Sequence, residues 1–320
     1  MKITLISWDN LGYISLVDKE MKRQGHTVNH IKMNELSYSY PNFFIKFVNA
    51  FTKTLFNYNF KREKLAQNIE KEINEMPRQD LILVVSSDWL PQETIKKLKK
   101  KTDKIIAWFY DAVANYPRIP KMIYYFDKVY TFEPKDAENY DIDFLPNFNP
   151  YNELQFCEKK KNYLFHISSQ RKNRKEILTK IAQQLKSSKI PYDIFLISKK
   201  PENNDFIQIQ TKGIPLQKVY EKLEEASFQI DIQRDRQSGV SFRIFEAMGL
   251  QQKVITTNQD IENYDFFNPN NIHILKNDSK IPIDFLTTPY EDIPNEIYKK
   301  YTIENWVKQI TLKNDLSHFL

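Results

Sequence analysis

The chain has 320 residues, more than the roughly 250 to 300 at which one hydrophobic core stops growing, so two domains of about 150 residues each are expected. With 41% hydrophobic and 28% charged residues it holds too much apolar surface to be disordered, and its five glycines, nowhere closer than the pair Gly239 and Gly249, exclude G-x-G-x-x-G and G-x-x-x-x-G-K-[ST] phosphate loops. A net charge of +6 favours anionic partners without choosing among phosphates, anionic lipid and nucleic acid.

The first residues, MKITLIS, are too short an apolar run for a secretion signal and read as a buried strand, Lys2 to Ser7. A helix with Leu16 and Met21 on one side follows over Tyr13 to Arg23, Gly25 ends it, and a strand covers Thr27 to Lys32. Strand Asp80 to Val85, basic helix Pro91 to Lys101, strand Lys104 to Phe109, the amphipathic stretch Pro120 to Phe126 and strand Lys128 to Phe132 continue the alternation. The stretch Phe144 to Lys161, with two prolines and no clear period, reads as a domain linker. The pattern then restarts with strand Tyr163 to Ile167, helix Asn173 to Leu185, strand Tyr192 to Ile197, helix Leu216 to Ala226 and strand Phe228 to Ile232. Helix Phe242 to Leu250 and strands Val254 to Thr257 and Ile272 to Leu275 complete it. Such alternation argues for parallel sheets covered on both faces. The expected fold class is therefore α/β, with domains 1–150 and 151–320 and the ligand in a cleft at the strands' carboxyl ends.

One segment departs from the alternation. Between Pro41 and Lys64, Phe44, Phe47, Val48, Phe51 and Leu55 recur at helical spacing beside Lys46, Lys53, Lys61 and Arg62. A helix packed on its own domain is the first reading; peripheral contact of residues 41–64 with the cytoplasmic membrane face, or with a lipid-linked acceptor, is the second. No apolar run approaches the roughly 20 residues of a membrane span. The single cysteine, Cys157, allows no intrachain disulfide, and a cytoplasmic location, peripheral at most to the inner membrane, is expected.

The stretch richest in chemistry runs from Gln233 to Gly249. A strand ends at Ile232, a loop carries Arg234, Arg236, Ser238 and Gly239, and a helix begins after Ser241, a good N-cap. A helix N-terminus beside Arg234, Arg236 and Arg243 suits a diphosphate, because backbone N–H groups, the helix dipole and guanidinium forks all favour anions. Glu246, one turn further in, suits sugar or ribose hydroxyls; an Arg243–Glu246 ion pair is the alternative. Ser168 and Ser169 end a strand ahead of the basic cluster Arg171 to Lys175, which includes Arg174. They offer phosphate donors or, equally, an ordinary helix cap.

Phe245-Glu-Ala-Met-Gly249 followed by Lys253-Val-Ile-Thr-Thr-Asn258 resembles the donor-site signature of GT-B glycosyltransferases. The wider pattern, Ile106 to Asp111, Phe126 to Phe132, Leu164 to Ser169 and Tyr264 to Pro269, is similar to the spore-maturation-protein-like subgroup, from Asp80 to about Trp306. The resemblance implies GT-B architecture: two Rossmann-like domains with parallel sheets facing a central cleft, a nucleotide-sugar held by the C-terminal one, the acceptor against the N-terminal one, and no bound metal. Two positions depart from it. Ser238 stands where retaining members carry a second Glu, and Ser168 and Ser169 replace the usual strand-end Gly, so the stereochemical outcome stays open.

Cationic groups must then stabilise the leaving diphosphate without a metal. If the anomeric centre inverts, a base must take the acceptor's proton. Asp9, Asp88 and Asp111 lie near strand ends of the first domain; Asp111 ranks first and Asp9 second, each weighed against a helix-capping role. Trp89 and Trp108 beside them suit a sugar face or a buried core. His26, His30, His166, His273 and His318 form no ligand set for zinc, Gly239-Val-Ser-Phe-Arg243 lacks the second glycine of a hydrolase elbow, and the basic runs lack the interleaved aromatics of nucleic-acid binders. The expected function is sugar transfer from a nucleotide-diphosphate donor, UDP-sugar favoured and with no further cofactor, to a glycan or lipid-linked acceptor in bacterial surface polysaccharide (capsule or lipopolysaccharide) synthesis. A nucleotide-sugar epimerase or hydrolase, and a non-catalytic nucleotide-sugar or glycan binding module, are the alternatives; nucleic acid is not an expected partner.

Overall fold

A computed structural model describes residues 1–37, 59–85, 87–155, 162–276 and 280–312. Most of the aromatic stretch 41–64, Cys157 and His318 lie outside them. The chain divides into two compact units, Met1–Pro146 with the residues from Val307 onward, and Asn147–Trp306. The tail that the sequence reading assigned to the second domain thus counts with the first from Val307, where Val307 and Ile310 are buried.

In the first unit the described elements are β1 (Lys2–Ser7), α1 (Tyr13–Arg23), β2 (Thr27–Lys32), α2 (Phe60–Asn74), β3 (Gln79–Val85), α3 (Gln92–Lys99), β4 (Thr102–Phe109), β5 (Lys128–Thr131), α4 (Pro134–Tyr140) and β6 (Asp143–Phe144). The six strands pair in parallel in the order β2-β1-β3-β4-β5-β6. Leu81 to Val85 and Ile105 to Phe109 are buried without interruption, as strands covered on both faces must be. In α1 the buried stripe is Ile14, Val17 and Met21, with Leu16 only half-buried. The amphipathic stretch Pro120 to Phe126 falls in two short 3₁₀ turns, Ile119–Lys121 and Ile123–Tyr125. Asn59 caps α2 by accepting from the Arg62 backbone N–H at 3.3 Å, and its stripe Leu65, Ala66, Ile69 and Ile73 faces the core.

The second unit contains β7 (Leu164–Ser169), α5 (Arg174–Ser187), β8 (Tyr192–Ile197), β9 (Gln208–Gln210), α6 (Leu216–Glu225), β10 (Phe228–Asp231), α7 (Phe242–Gly249), β11 (Lys253–Thr256), β12 (Ile272–Ile274), α8 (Ile283–Thr287) and α9 (Asn295–Lys300), followed by α10 (Ile303–Thr311). Its parallel sheet has the order β12-β11-β10-β7-β8-β9. Connections leave β7 in one direction and β10 in the other, so a topological switch point lies between these two strands. In the first sheet the corresponding point lies between β1 and β3. Open α/β sheets bind ligands beyond the carboxyl ends of such strand pairs. The helix α7 is buried from Ile244 to Gly249, and only its first turn, Phe242 and Arg243, is partly exposed.

Candidate functional site

Two arginines converge on the switch point of the second unit. Arg243, in the first turn of α7, donates to the carbonyls of Ile230 and Ile167 at 3.0 and 2.9 Å. Arg174, opening α5, donates to those of Ser169 and Ile232 at 2.8 and 2.9 Å. Each thus straps the end of β7 to the end of β10, satisfying carbonyls that run past the sheet ladder. No Arg243–Glu246 ion pair forms among the described residues, since the Arg243 guanidinium is turned to backbone. Burial pushes the Arg174 pKa down to about 10, with Arg243, Arg171 and Arg234 adding like-charge repulsion and Asp231 opposing it. Arg174 therefore stays charged at neutral pH beside three further guanidinium groups close enough to act on it.

Beneath them lies His166, fully buried on β7. Its Nδ1 faces the Ile230 carbonyl at 2.9 Å and its Nε2 faces the Ser168 hydroxyl at 2.8 Å. A carbonyl only accepts, so Nδ1 carries the proton and the Ser168 hydroxyl donates to Nε2. Burial first, then Arg243 and Arg174, push the His166 pKa well down and hold the ring neutral. The Ser168 hydroxyl is accordingly committed to His166, and Ser169, which is exposed, contributes its carbonyl to Arg174.

The loop from Ile232 to Ser241 is pinned by two groups the sequence reading did not single out. Asp231, buried at the end of β10, accepts from the Ser241 hydroxyl at 2.7 Å and the Thr256 hydroxyl at 2.9 Å. Ser241 holds the N-cap position of α7 without a side-chain cap bond, a correction to its expected role: its hydroxyl is oriented toward Asp231, to which it donates. Asn258 donates to the Ser238 carbonyl at 3.1 Å, fixing the buried Ser238-Gly239 pair. Glu246 is buried on α7, whereas Arg234 and Arg236 are exposed and Arg236 adopts a left-handed φ of 62° in the turn. An acid closing the otherwise apolar Phe228-Gln-Ile-Asp231 run was the one sequence signal for Asp231.

In the first unit, Asp9 acts on α1. Its carboxylate accepts from the Ile14 and Ser15 backbone N–H groups at 3.2 and 2.9 Å, covering helix donors that Gly12 cannot reach. Asp9→Ala is expected to cost about 1 to 2 kcal/mol in urea unfolding, the range of a lost helix cap; a change below about 0.3 kcal/mol contradicts that role. Asp111, buried after β4, accepts from Ala112 N, Asn115 Nδ2 and Tyr116 Oη, each at 3.1 Å. Both expected bases thus shape the turns that follow their strands. Trp108 is fully buried, its indole N–H donating to Leu145 O at 3.2 Å, which places it in the core and not on a sugar face. Asp88 lies in a 3₁₀ turn, Ser87–Trp89, and its pKa is pushed up to about 6 by burial, with Arg62 and Arg118 opposing and Asp111 reinforcing the rise. Among the described residues no group of three or more His, Cys, Asp or Glu is placed to hold a metal ion, and no helix is long and apolar enough to cross a membrane.

No protein-family model and no curated protein matches the chain. Solved structures do. An alpha-glucosyltransferase in complex with UDP and a 13-mer DNA containing a HMU base matches with a TM-score of 0.56 at 12% identity, over 97% of this chain and 95% of that one. A UDP-forming alpha,alpha-trehalose-phosphate synthase from Burkholderia vietnamiensis matches with a TM-score of 0.56 at 8% identity, over 97% and 98%. A UDP-GlcNAc 2-epimerase from Neisseria meningitidis bound to UDP-GlcNAc matches with a TM-score of 0.51 at 10% identity, over 97% and 98%. At these identities the likeness is one of fold. The chain has the GT-B fold, two Rossmann-like α/β domains each built on a six-stranded parallel sheet.

Proposed function

We propose that this chain is a glycosyltransferase whose second unit holds the diphosphate of a nucleotide-sugar, UDP-sugar favoured, at the β7/β10 switch point. The observation that carries the reading is the gathering of Arg171, Arg174, Arg234 and Arg243 at those two strand ends with Asp231 as the opposing charge on Arg174. Like charges held together raise the energy of the empty site, and a diphosphate relieves the repulsion. Arg174 and Arg243 spend donors on backbone and keep the strand ends in place. Arg171 and Arg234, both exposed, are assigned to the phosphate oxygens, together with Ser169, Arg236 and the Ser238–Ser241 backbone. As the sugar leaves, charge develops on the diphosphate, and fixed guanidinium groups stabilise it without reorganising. Glu246 is assigned to ribose or sugar hydroxyls. The acceptor, a glycan or a lipid-linked sugar of bacterial surface polysaccharide, is assigned to the first unit, as the resemblance to the spore-maturation-protein-like subgroup implies.

Calorimetry with UDP tests the donor site. Arg234→Ala and Glu246→Ala are each expected to weaken UDP-sugar binding by about 1.5 to 3 kcal/mol, the range for hydrogen bonds to charged groups. Wild-type chain in UDP at 100 times its dissociation constant gains about 2.7 kcal/mol of stability. Unchanged affinity in both variants refutes the assignment. Fold kinship with the epimerase supports a second reading, which acceptor-independent appearance of an isomerised sugar selects over transfer.

A further inference from the structure

The carboxyl end of the second sheet holds more uncommitted positive charge than a diphosphate calls for. Ser169, Ile197 and Gln210 are register partners at the ends of β7, β8 and β9. The Gln170 N–H donates to Ile197 O at 2.7 Å and the Ser198 N–H to Gln210 O at 2.9 Å, so the three loops that follow begin side by side. At about 5 Å per strand the row is about 10 Å wide. Arg171 and Lys172 follow β7, Lys199 and Lys200 follow β8, and Lys212 follows β9, all of them exposed. Among the described residues none of these five side chains has a hydrogen-bond or ion-pair partner. The same loops hold two acids, and Glu202 is spent on Lys175, which leaves Asp205 against five cations. In dinucleotide-binding sheets an acid beside the end of the second strand holds a ribose hydroxyl, and a cation there accommodates a ribose phosphate. β8 is the second strand of this unit, and the first charged residues after it are Lys199 and Lys200.

We propose that the ends of β8 and β9 form a second phosphate site, with Lys199, Lys200 and Lys212 taking a phosphate on the ribose of the bound nucleotide. This rests on the donor-site reading above and extends its ligand by one phosphate. The diphosphate stays at β7/β10, and the three lysines lie one and two strands beyond β7 along the sheet. Ammonium groups on flexible stems suit a ribose phosphate as point charges, with no fixed fork to satisfy. With no anion there, like charges side by side repel one another, and a bound phosphate relieves that repulsion.

Calorimetry on the full-length chain at low ionic strength compares UMP with uridine 2′,5′-bisphosphate and uridine 3′,5′-bisphosphate, each of which adds one ribose phosphate to it. Three proteins are measured: wild type, Lys199→Ala/Lys200→Ala/Lys212→Ala, and Lys71→Ala/Lys100→Ala/Lys121→Ala, which removes the same charge from exposed positions of the first unit. One bisphosphate is expected to bind wild type about 10-fold or more tighter than UMP, the return on one charge-assisted contact. That gain is expected to vanish in the Lys199/Lys200/Lys212 variant and to persist in the Lys71/Lys100/Lys121 variant, with UMP affinity unchanged to within about twofold in both. Bisphosphates that bind wild type no tighter than UMP overturn the proposal. So does a gain that survives loss of Lys199, Lys200 and Lys212, and so does one lost equally in the other variant, which marks a general attraction to net charge. Wild type that binds UDP but shows no bisphosphate gain leaves the donor site standing without this one; wild type that binds neither UMP nor UDP removes the reading on which it rests.

Discussion

Gly249→Ala is expected to lower the stability of the second unit by about 3 kcal/mol, the upper end for forced overpacking. A Cβ at this position meets the Tyr151 ring and sits 2.5 Å from Asn149 Oδ1. Neither neighbour is free to withdraw. The Asn149 backbone is bonded to Tyr301 O at 2.7 Å and to Ile303 N at 2.9 Å, and its side-chain oxygen accepts from Tyr151 N at 3.0 Å. Tyr151 O in turn accepts from the Tyr298 hydroxyl at 2.9 Å. Urea unfolding followed through the second unit reads the effect, and a loss below about 0.5 kcal/mol shows that the 149–151 segment moves aside. The glycine that completes the Phe-Glu-Ala-Met-Gly run is thus explained by close backbone packing, independently of any nucleotide.

Asp88→Asn is expected to stabilise the protein at pH 7 to 8 and to leave it unchanged near pH 4. The folded-state pKa of Asp88 lies at about 6, above its ordinary value of 3.8. The native state therefore takes up the proton first as pH falls. Below the unfolded value both states are protonated and Asp88 carries no penalty. Above about 6 both are ionised, and the full cost of holding a desolvated charge is present. At about 1.4 kcal/mol per unit the shift corresponds to at most about 3 kcal/mol; solvent screening at a half-buried site reduces this to about 1 to 2 kcal/mol. Wild-type stability should fall across that window relative to Asp88→Asn. A difference between the two proteins that is flat from pH 4 to pH 8 contradicts the assignment.

The alternation of elements was legible because parallel strands buried on both faces are continuous apolar runs. Lys2–Ser7 and Tyr192–Ile197 end where hydrophobicity and turn residues place their ends. Weakly patterned elements were not legible: α4 has the mostly polar sequence Pro-Lys-Asp-Ala-Glu-Asn-Tyr, and the two-residue β6 and the three-residue β9 owe their state to neighbours in the sheet. In the site, helix and loop positions were read correctly around Arg243 and Ser241, while the partners of both were not. Ser241 looks like a cap from its neighbours in sequence, and Asp231, ten positions earlier, takes its hydroxyl instead.

By itself, then, the order of residues determined two α/β units, parallel strands and the clustering of arginines in the loops that follow them. These depend on local periodicity and composition, which each segment carries alone. The tertiary structure decided which charges are spent and which remain. Arg243 reaches a carbonyl 76 positions away and Arg174 one 58 positions away. Asp9 and Asp111 accept from the turns they start, and the carbonyls that follow Asp88 are held by an arginine from another helix. Hydrogen-bond partners of this kind are set by which strand ends the sheet order brings side by side, and no window of sequence contains that order.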